Sequence, residues 1–428
     1  MKKQLSLVLS LLMLLGFIQI HGQTITQLAD MPERVSNQAV AYAEINGNGF
    51  VYSFSGIDET KLFSGIHKRA FKYDILNDTW TTLPDLPSGN GRIAASASLV
   101  QDKIYIMGGY EVFADGSEIS VDLVHVFDPA NDTYMADATP IPIPIDDHIQ
   151  AVWRDSLIYL VTGWSNTTNV PDVQIFNPAN NSWAVGTPVP NNNTYKVFGS
   201  SGTIIGDTIY YSGGVRIVGG GFSSSNVIRK GVINPDNPTE IEWSHRTSFD
   251  AIGYRMGAAV WNNTRPVWIG GSEDAYNFDG ISFIFGTGVE PYERILELRP
   301  ETDQLEETPF SLPIMDIREV AQVNPTSVVI CGGMAPGQSV SNSVYSIDLN
   351  IVGTKSVVPE PEVKIYPQPA LDIIYIENGL EKNYKIIDST GRVLQTGIYS
   401  QNGISIKNLS SGFYILSLDT VNKTFLKH

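Results

Sequence analysis

The sequence predicts an all-β protein: a six-bladed β-propeller followed by a small β-sandwich. Three observations predict it. A strand that ends in small residues recurs six times, as F-S-G at Gly56, I-M-G-G at Gly109, V-T-G at Gly163, Y-S-G-G at Gly214, W-I-G-G at Gly271 and C-G-G at Gly333, at intervals of 53, 54, 51, 57 and 62 residues. A hairpin signature follows the early landmarks, and the residues after the leader repeat the end of one unit. A period near 50 is too long for most helical repeats and suits a four-stranded propeller blade.

The leader comes first. Lys2 and Lys3 precede a mostly apolar stretch from Leu5 to Ile20 that ends near Gly22, which predicts a signal peptide over residues 1–22. Its apolar core is shorter than the about 20 residues of a spanning helix, so cleavage is predicted and no membrane span. No cysteine lies near the cleavage region, which argues against a lipid anchor there. The lone Cys331 excludes a disulfide within the chain, so stability must come from a core.

The repeat region is placed at 23–350. Its hairpins read K-Y-D-I-L-N-D-T-W (72–80), V-F-D-P-A-N-D-T-Y (126–134) and I-F-N-P-A-N-N-S-W (175–183), each with an aromatic strand end, a turn rich in Asp, Asn and Pro, and an aromatic seven residues on. The fourth repeat stretches the hairpin between Ile233 and Trp243, and the fifth offers Leu298 and Leu305 where aromatics are expected. With the glycine pair, this pattern resembles the kelch family over about residues 24–350. The resemblance implies a propeller. The sixth repeat lacks a last strand, because S-I-D-L-N (346–350) runs into a linker at 351–361. T-I-T-Q-L-A-D-M-P (24–32) matches T-W-T-T-L-P-D-L-P (79–87), the fourth strand of the first repeat, at five of nine positions. The N-terminal strand is therefore expected to complete the sixth blade and close the ring, which removes exposed strand edges.

Beyond the linker, at 362–428, the pattern changes. K-I-Y-P-Q-P-A (364–370), I-I-D-S-T-G-R-V-L (386–394), I-K-N-L-S-S-G-F-Y-I-L (406–416) and K-T-F-L-K-H (423–428) are alternating strands separated by turns. Their order and spacing resemble the C-terminal sorting domain of the type IX secretion system, with Pro367-Gln368-Pro369 in place of the usual Pro-Asn-Pro. That resemblance implies a partnership with the Bacteroidetes-type secretion machinery and a destination outside the cell or on the outer-membrane surface, via the periplasm.

The net charge is −17, and residues 23–361 carry 39 acidic against 19 basic side chains, a net of −20. Such a surface repels phosphate backbones, so no nucleic-acid partner is expected. Against that background, the residues aligned as opening each innermost strand read Arg34, Arg92, His148, Lys196, Arg255 and Arg318, some 15 to 22 positions before each glycine landmark. Guanidiniums converging on a channel mouth would bind a carboxylate bidentately, which points to an anionic ligand; the alternative is that each pairs with a neighbouring blade.

Two long loops are expected on the same face, 215–228 and 272–292. The second mixes Glu273 and Asp274 with Tyr276, Asn277 and Phe278, a composition that suits sugar rings, although a solvated insertion would read the same way. The expected ligand is therefore an extracellular carbohydrate or protein. Secreted six-bladed kelch proteins also resemble the sialic acid mutarotases, which implies a channel carboxylate and arginine that open and reclose a sugar ring. Here Glu273 or Glu319 would be the acid/base and Arg255 or Arg318 the clamp. Adjacent residues of an extended strand point oppositely, which counts against Arg318 with Glu319. Asp146, Asp147 and His148 form another acid/base cluster or a solvated turn. His67, His125, His148 and His245 show no metal-ligand spacing, no Tyr-His dipeptide supports a copper-radical site, and no phosphate-cradling glycine loop occurs, so neither metal nor cofactor is expected.

Overall fold

The computed structural model describes residues 23–349, 365–376, 383–388, 392–400, 403–418 and 421–428. The expected signal peptide and linker lie outside the described residues. Two compact units are present, one formed by the repeat region and one by the C-terminal segment.

The repeat unit contains six four-stranded antiparallel sheets. Blade one runs through Ala39–Ile45, Asn48–Phe54, Ala70–Asp74 and Thr79–Leu83. The inner strands of blades two to six are Ser96–Val100, Ile149–Trp153, Ser201–Ile205, Gly257–Trp261 and Ala321–Asn324. They are rich in Ala, Ser and Gly, as the crowded axis requires. The second strands, such as Lys103–Met107 and Ser327–Cys331, are nearly continuous apolar runs because both faces of each sheet are covered by neighbours. One hydrophobic cluster fills each space between successive blades, and the cluster of Val51, Phe71 and Tyr73 with Val329, Cys331 and Val344 joins blade six to blade one.

The hairpin spacing of seven places its two aromatics directly opposite each other. Tyr73 faces Trp80, Phe127 faces Tyr134 and Phe176 faces Trp183, while Leu298 faces Leu305 in blade five. The indole N–H of Trp80, Trp183 and Trp243 then donates to the carbonyl of Ala29, Thr139 and Thr187, fastening each outer hairpin to a neighbouring segment.

The glycine pairs are the joints between blades. The first glycine has φ of 61° at Gly108, 69° at Gly213, 60° at Gly270 and 66° at Gly332. A Cβ there would come within 2.1–2.3 Å of the carbonyl oxygen of Ile145, Gly253, Ile314 or Val35, which belongs to the segment approaching the next inner strand. Only glycine fits both the dihedral and the distance. The second glycine donates its N–H to that same carbonyl, at 2.9, 2.8, 2.9 and 2.9 Å in turn. Blades one and three depart from the glycine pair with Ser55 and Thr162, and each hydroxyl reaches the equivalent carbonyl, Ser55 to Arg92 at 2.5 Å and Thr162 to Val197 at 3.3 Å.

The fourth strand of blade six is Thr24–Leu28, paired antiparallel with Val344–Asp348 in the register Thr24 to Asp348 through Leu28 to Val344. The C-terminal unit has a three-stranded sheet of Ile365–Tyr366, Ile373–Ile376 and Ile404–Ser405, and a four-stranded sheet in the order Val393–Ile398, Asn383–Ile387, Gly412–Leu418, Val421–Lys427. Ile374, Ile376 and Ile404 from the first and Ile386, Leu416 and Phe425 from the second share one core.

Deleting residues 24–32 should leave the backbone of Val344–Asp348 unpaired and remove the packing of Ile25 and Leu28. A loss of ~2 kcal/mol corresponds to a fall of roughly 3 °C in melting temperature for a propeller of this length. Scanning calorimetry on the shortened chain checks it; an unchanged transition would show that the strand does not support the sheet.

Candidate functional site

The site grows out of the segments that approach the inner strands. Each makes one bridge to the residue that follows the glycine landmark: Ser36 with Ile57, Ile93 with Tyr110, Asp146 with Trp164, Phe198 with Val215, Tyr254 with Ser272 and Met315 with Met334. The next residue in every case has a left-handed φ, 55° at Asn37, 56° at Ala94, 48° at Asp147, 63° at Gly199, 48° at Arg255 and 60° at Asp316. That conformation is unfavourable for a residue with a side chain. Hydrogen bonds from blade to blade hold it. The N–H of Asn37 donates to Asp316 O (3.3 Å), that of Asp147 to Ala94 O (3.2 Å), that of Gly199 to Asp147 O (2.9 Å) and that of Arg255 to Gly199 O (2.8 Å). Ala94 donates to the Asn37 side chain at 2.9 Å, and the Arg255 guanidinium reaches Asp316 at 3.0 Å. These six residues form a collar around the axis.

The charges of the collar are buried and matched. Arg255, 2% exposed, clasps Asp147 through Nε (3.1 Å) and Nη2 (2.8 Å). Arg318 approaches Asp147 at 3.4 Å and donates to the His148 carbonyl at 3.0 Å. Asp316 also accepts from Ser36 Oγ at 2.6 Å. Burial opposes the charge on Arg255, but Asp147 and Asp316 override it and raise its pKa. Burial likewise opposes ionisation of Asp147, yet Arg255 and Arg318 hold its carboxyl below the usual range. Asp146 differs. Burial and the charge of Asp147 push its carboxyl well above that range, while Ser120 Oγ donates to it at 2.5 Å.

Two cavities flank the collar. The mouth pocket, about 180 Å³, is lined by Glu118, Asp146, Asp147 and Arg255 together with Tyr110, Trp164, Phe198, Phe222, Tyr254, Asn277 and Phe283. The channel between the inner strands, about 300 Å³, includes His148, Gln150, Arg318 and Glu319 in its wall. Burial pushes Glu319 up to about 7, although the N–H groups of Ala97 and Val40 donate to it. Burial, then Arg318, lowers His148 to about 3, so its imidazole is neutral at physiological pH.

The basic residues aligned in the sequence do not share one level. Relative to the bridge residue of each approach segment, Arg34 and Lys196 precede it by two, Arg92 by one, whereas Arg255, His148 and Arg318 follow it at one, two and three. The left-handed residue at offset one turns the chain into the inner strand, so the side chains that precede the bridge stay away from the axial cavities while those at or beyond the turn line them. Arg34 pairs with Glu59 on the surface. Arg92 is buried against His125 at 3.0 Å and the Ile106 carbonyl. Lys196 lines neither axial cavity. Arg255, Arg318, Asp147 and His148 do converge. Arg318 and Glu319, expected to diverge, line the same channel because Arg318 has φ 36° and interrupts the alternation.

Of the loop residues, Asn277 lines the mouth pocket and Tyr276 stands edge-on to Tyr254 with its hydroxyl 3.4 Å from Asp316. Phe278 packs on the cluster of Ile57, Ile93 and Tyr110, and Glu273 is exposed and lines neither axial cavity. Sequence reasoning missed Trp164, Phe198, Tyr254 and Asp316. The signal was available for Tyr110 and Trp164, since each directly follows a glycine landmark. Among the described residues, no group of His, Cys, Asp and Glu has metal-holding geometry.

Comparison with known proteins matches residues 19–214 to the KLHDC2/KLHL20/DRC7 Kelch-repeats domain and residues 364–428 to the Secretion system C-terminal sorting domain. Kelch repeats over residues 19–214 thus lie in the propeller, and a type IX sorting domain forms the C-terminal segment. Similar proteins include the Kelch-like protein terF of Aspergillus terreus, 28% identical over 46% of this chain and 40% of that one. Alpha-scruin of Limulus polyphemus is 32% identical over 25% of this chain and 11% of its own length, and Kelch-like protein 36 of Mus musculus is 23% identical over 51% and 33%. The kelch chain thus spans two-fifths or less of these relatives' lengths. The solved structure of YjhT matches 82% of this chain and 99% of its own with a TM-score of 0.58 at 14% identity, a likeness of fold. The sorting domain supports secretion or surface display and contact with the type IX machinery. Among the described residues, no helix is long and apolar enough to cross a membrane.

Replacing Arg255 by Lys should destabilise the kelch propeller by ~3 kcal/mol, because one ammonium cannot satisfy both Asp147 and Asp316 and leaves a buried carboxylate exposed to desolvation. Urea unfolding measures it. A change under ~1 kcal/mol would mean that the collar's ion pairs do not support the ring.

Proposed function

We propose that this protein is a secreted or surface-displayed propeller that binds carbohydrate in the mouth pocket. The observation that carries the reading is the composition of that pocket. Phe222 from the first long loop and Asn277 and Phe283 from the second meet Trp164 and Phe198 over Asp146 and Glu118. Phe222 lies 5.8 Å from Trp164, 5.4 Å from Phe198 and 5.0 Å from Phe283 between ring centroids, so the aromatics form one continuous wall. Aromatic faces suit the CH patches of a pyranose, and the amides and carboxylates beside them suit its hydroxyls. The anionic ligand expected from aligned basic residues loses its support here, since the guanidinium of Arg255 is engaged by Asp147 and Asp316.

A second reading, a sialic acid mutarotase, is favoured by the channel rather than the mouth, and the likeness of fold to YjhT is compatible with it. Ring opening needs one proton removed from the anomeric hydroxyl and one delivered to the ring oxygen, and reclosure reverses both. A carboxyl titrating near neutrality serves both directions. Glu319 has that character, and Arg318, whose Nη1 faces Asp147 at 3.4 Å without a hydrogen bond, lines the same channel.

Calorimetric titration with oligosaccharides tests the first reading. Trp164→Ala should weaken the binding of whichever sugar the parent binds at least about tenfold, the scale of one lost stacking contact. Retained affinity would remove the ligand from the mouth pocket. Glu319→Gln tests the second and should abolish accelerated anomer exchange of N-acetylneuraminate seen by NMR.

The same substitution reads the raised carboxyl itself. The folded chain holds the Glu319 proton up to about 7 and the unfolded chain only to its ordinary value of 4.5. Stability should therefore fall as pH rises from about 4.5 to about 7, and Glu319→Gln should flatten that part of the profile. An identical slope in both proteins would contradict the shift.

A further inference from the structure

We propose that the mouth pocket selects a cationic amino sugar, a hexosamine whose 2-amino group is free and protonated, over neutral and N-acetylated sugars. The inference rests on the carbohydrate reading above. It starts from the charge around the pocket. Four carboxyls, Glu118, Asp146, Asp147 and Asp316, stand against two guanidiniums, Arg255 and Arg318, and the ion pairs consume both guanidiniums on Asp147 and Asp316. Asp146 and Glu118 line the cavity and make none of the ion pairs seen among the described residues. Asp146 is 3% exposed and accepts from the Ser120 hydroxyl, and burial with the like charge of Asp147 pushes its carboxyl well above the usual range although Arg318 acts the other way. A bound ammonium would supply the missing counter-charge.

Two further observations point the same way. The same cavity is lined by Trp164, Phe198, Phe222 and Phe283, a chain of rings in contact, and π-faces attract an ammonium as well as the CH patches of a sugar. Tyr254, fully buried, also lines the cavity, and its hydroxyl has no hydrogen-bond partner. A buried phenol oxygen without a partner is costly and is satisfied by a ligand N–H or O–H. An acidic patch alone would draw any cation. An aromatic box over paired carboxyls, with polar Asn166 and Asn277 in the same wall, fits a sugar that carries one.

The test compares the glucosamine trimer, the N-acetylglucosamine trimer and cellotriose at pH 7 by calorimetric titration of the full chain, with Nα-acetyl-lysine methylamide as a fourth probe. The expected result is a glucosamine trimer affinity at least tenfold above the other two sugars, falling with added salt, and a preference that shrinks toward one in Glu118→Gln. Equal or reversed affinities among the three sugars would overturn the inference and leave the carbohydrate reading standing. No binding by any sugar would overturn both. Binding of the lysine derivative as tightly as the glucosamine trimer would overturn the amino-sugar assignment in favour of a lysine side chain.

Discussion

Everything in the propeller hangs on one hydrogen bond repeated around the axis, from the second residue of each glycine pair to the carbonyl just before the next blade's inner strand. It fixes the approach segment at a distance where no side chain fits on the first glycine, as the 2.1–2.3 Å clearances at Gly108, Gly213, Gly270 and Gly332 show. The segment so held then has only one way to turn into the inner strand. That turn is the left-handed residue of the collar, and the collar puts Asp147, Arg255 and Asp316 on the axis. Fold and site are therefore consequences of the same contact.

The collar also explains why charge can be buried in the middle of a strongly acidic protein. Three blades contribute one member each to the Asp147, Arg255 and Asp316 triad, so its desolvation is offset only when all three are seated. Such a group adds little net stability compared with apolar packing. What it does is penalise a ring with a blade out of place, because a displaced blade leaves a buried charge unpaired.

The architecture was legible because its markers are local. Glycine pairs, hairpin aromatics seven apart and the likeness of 24–32 to 79–87 each depend on short stretches of chain, and the register Thr24 to Asp348 follows from them. Even the departures were informative, since Leu298 and Leu305 sit opposite each other where the pattern asks for aromatics. The site was less legible for a geometric reason. Aligning basic residues by their distance from a glycine tolerated errors of a few positions, whereas the left-handed turn sends a side chain just before it and one on it to different places. Arg255 and Arg92 thus read alike in sequence but separate in space, one on the collar and one against His125. The mouth aromatics escaped notice because they are spread over Trp164, Phe198, Phe222 and Phe283, with no motif to join them.

The pairing of Thr24–Leu28 with Val344–Asp348 has a bearing on the order in which the molecule is made. The two partners are the earliest and latest strands of the propeller to leave the ribosome. Blade six thus remains a three-stranded fragment until nearly all of the propeller exists, and contacts so distant along the chain form slowly. A nascent propeller of this design stays unlocked through most of its synthesis, which is the condition a chain needs if it is to be threaded across a membrane before it folds.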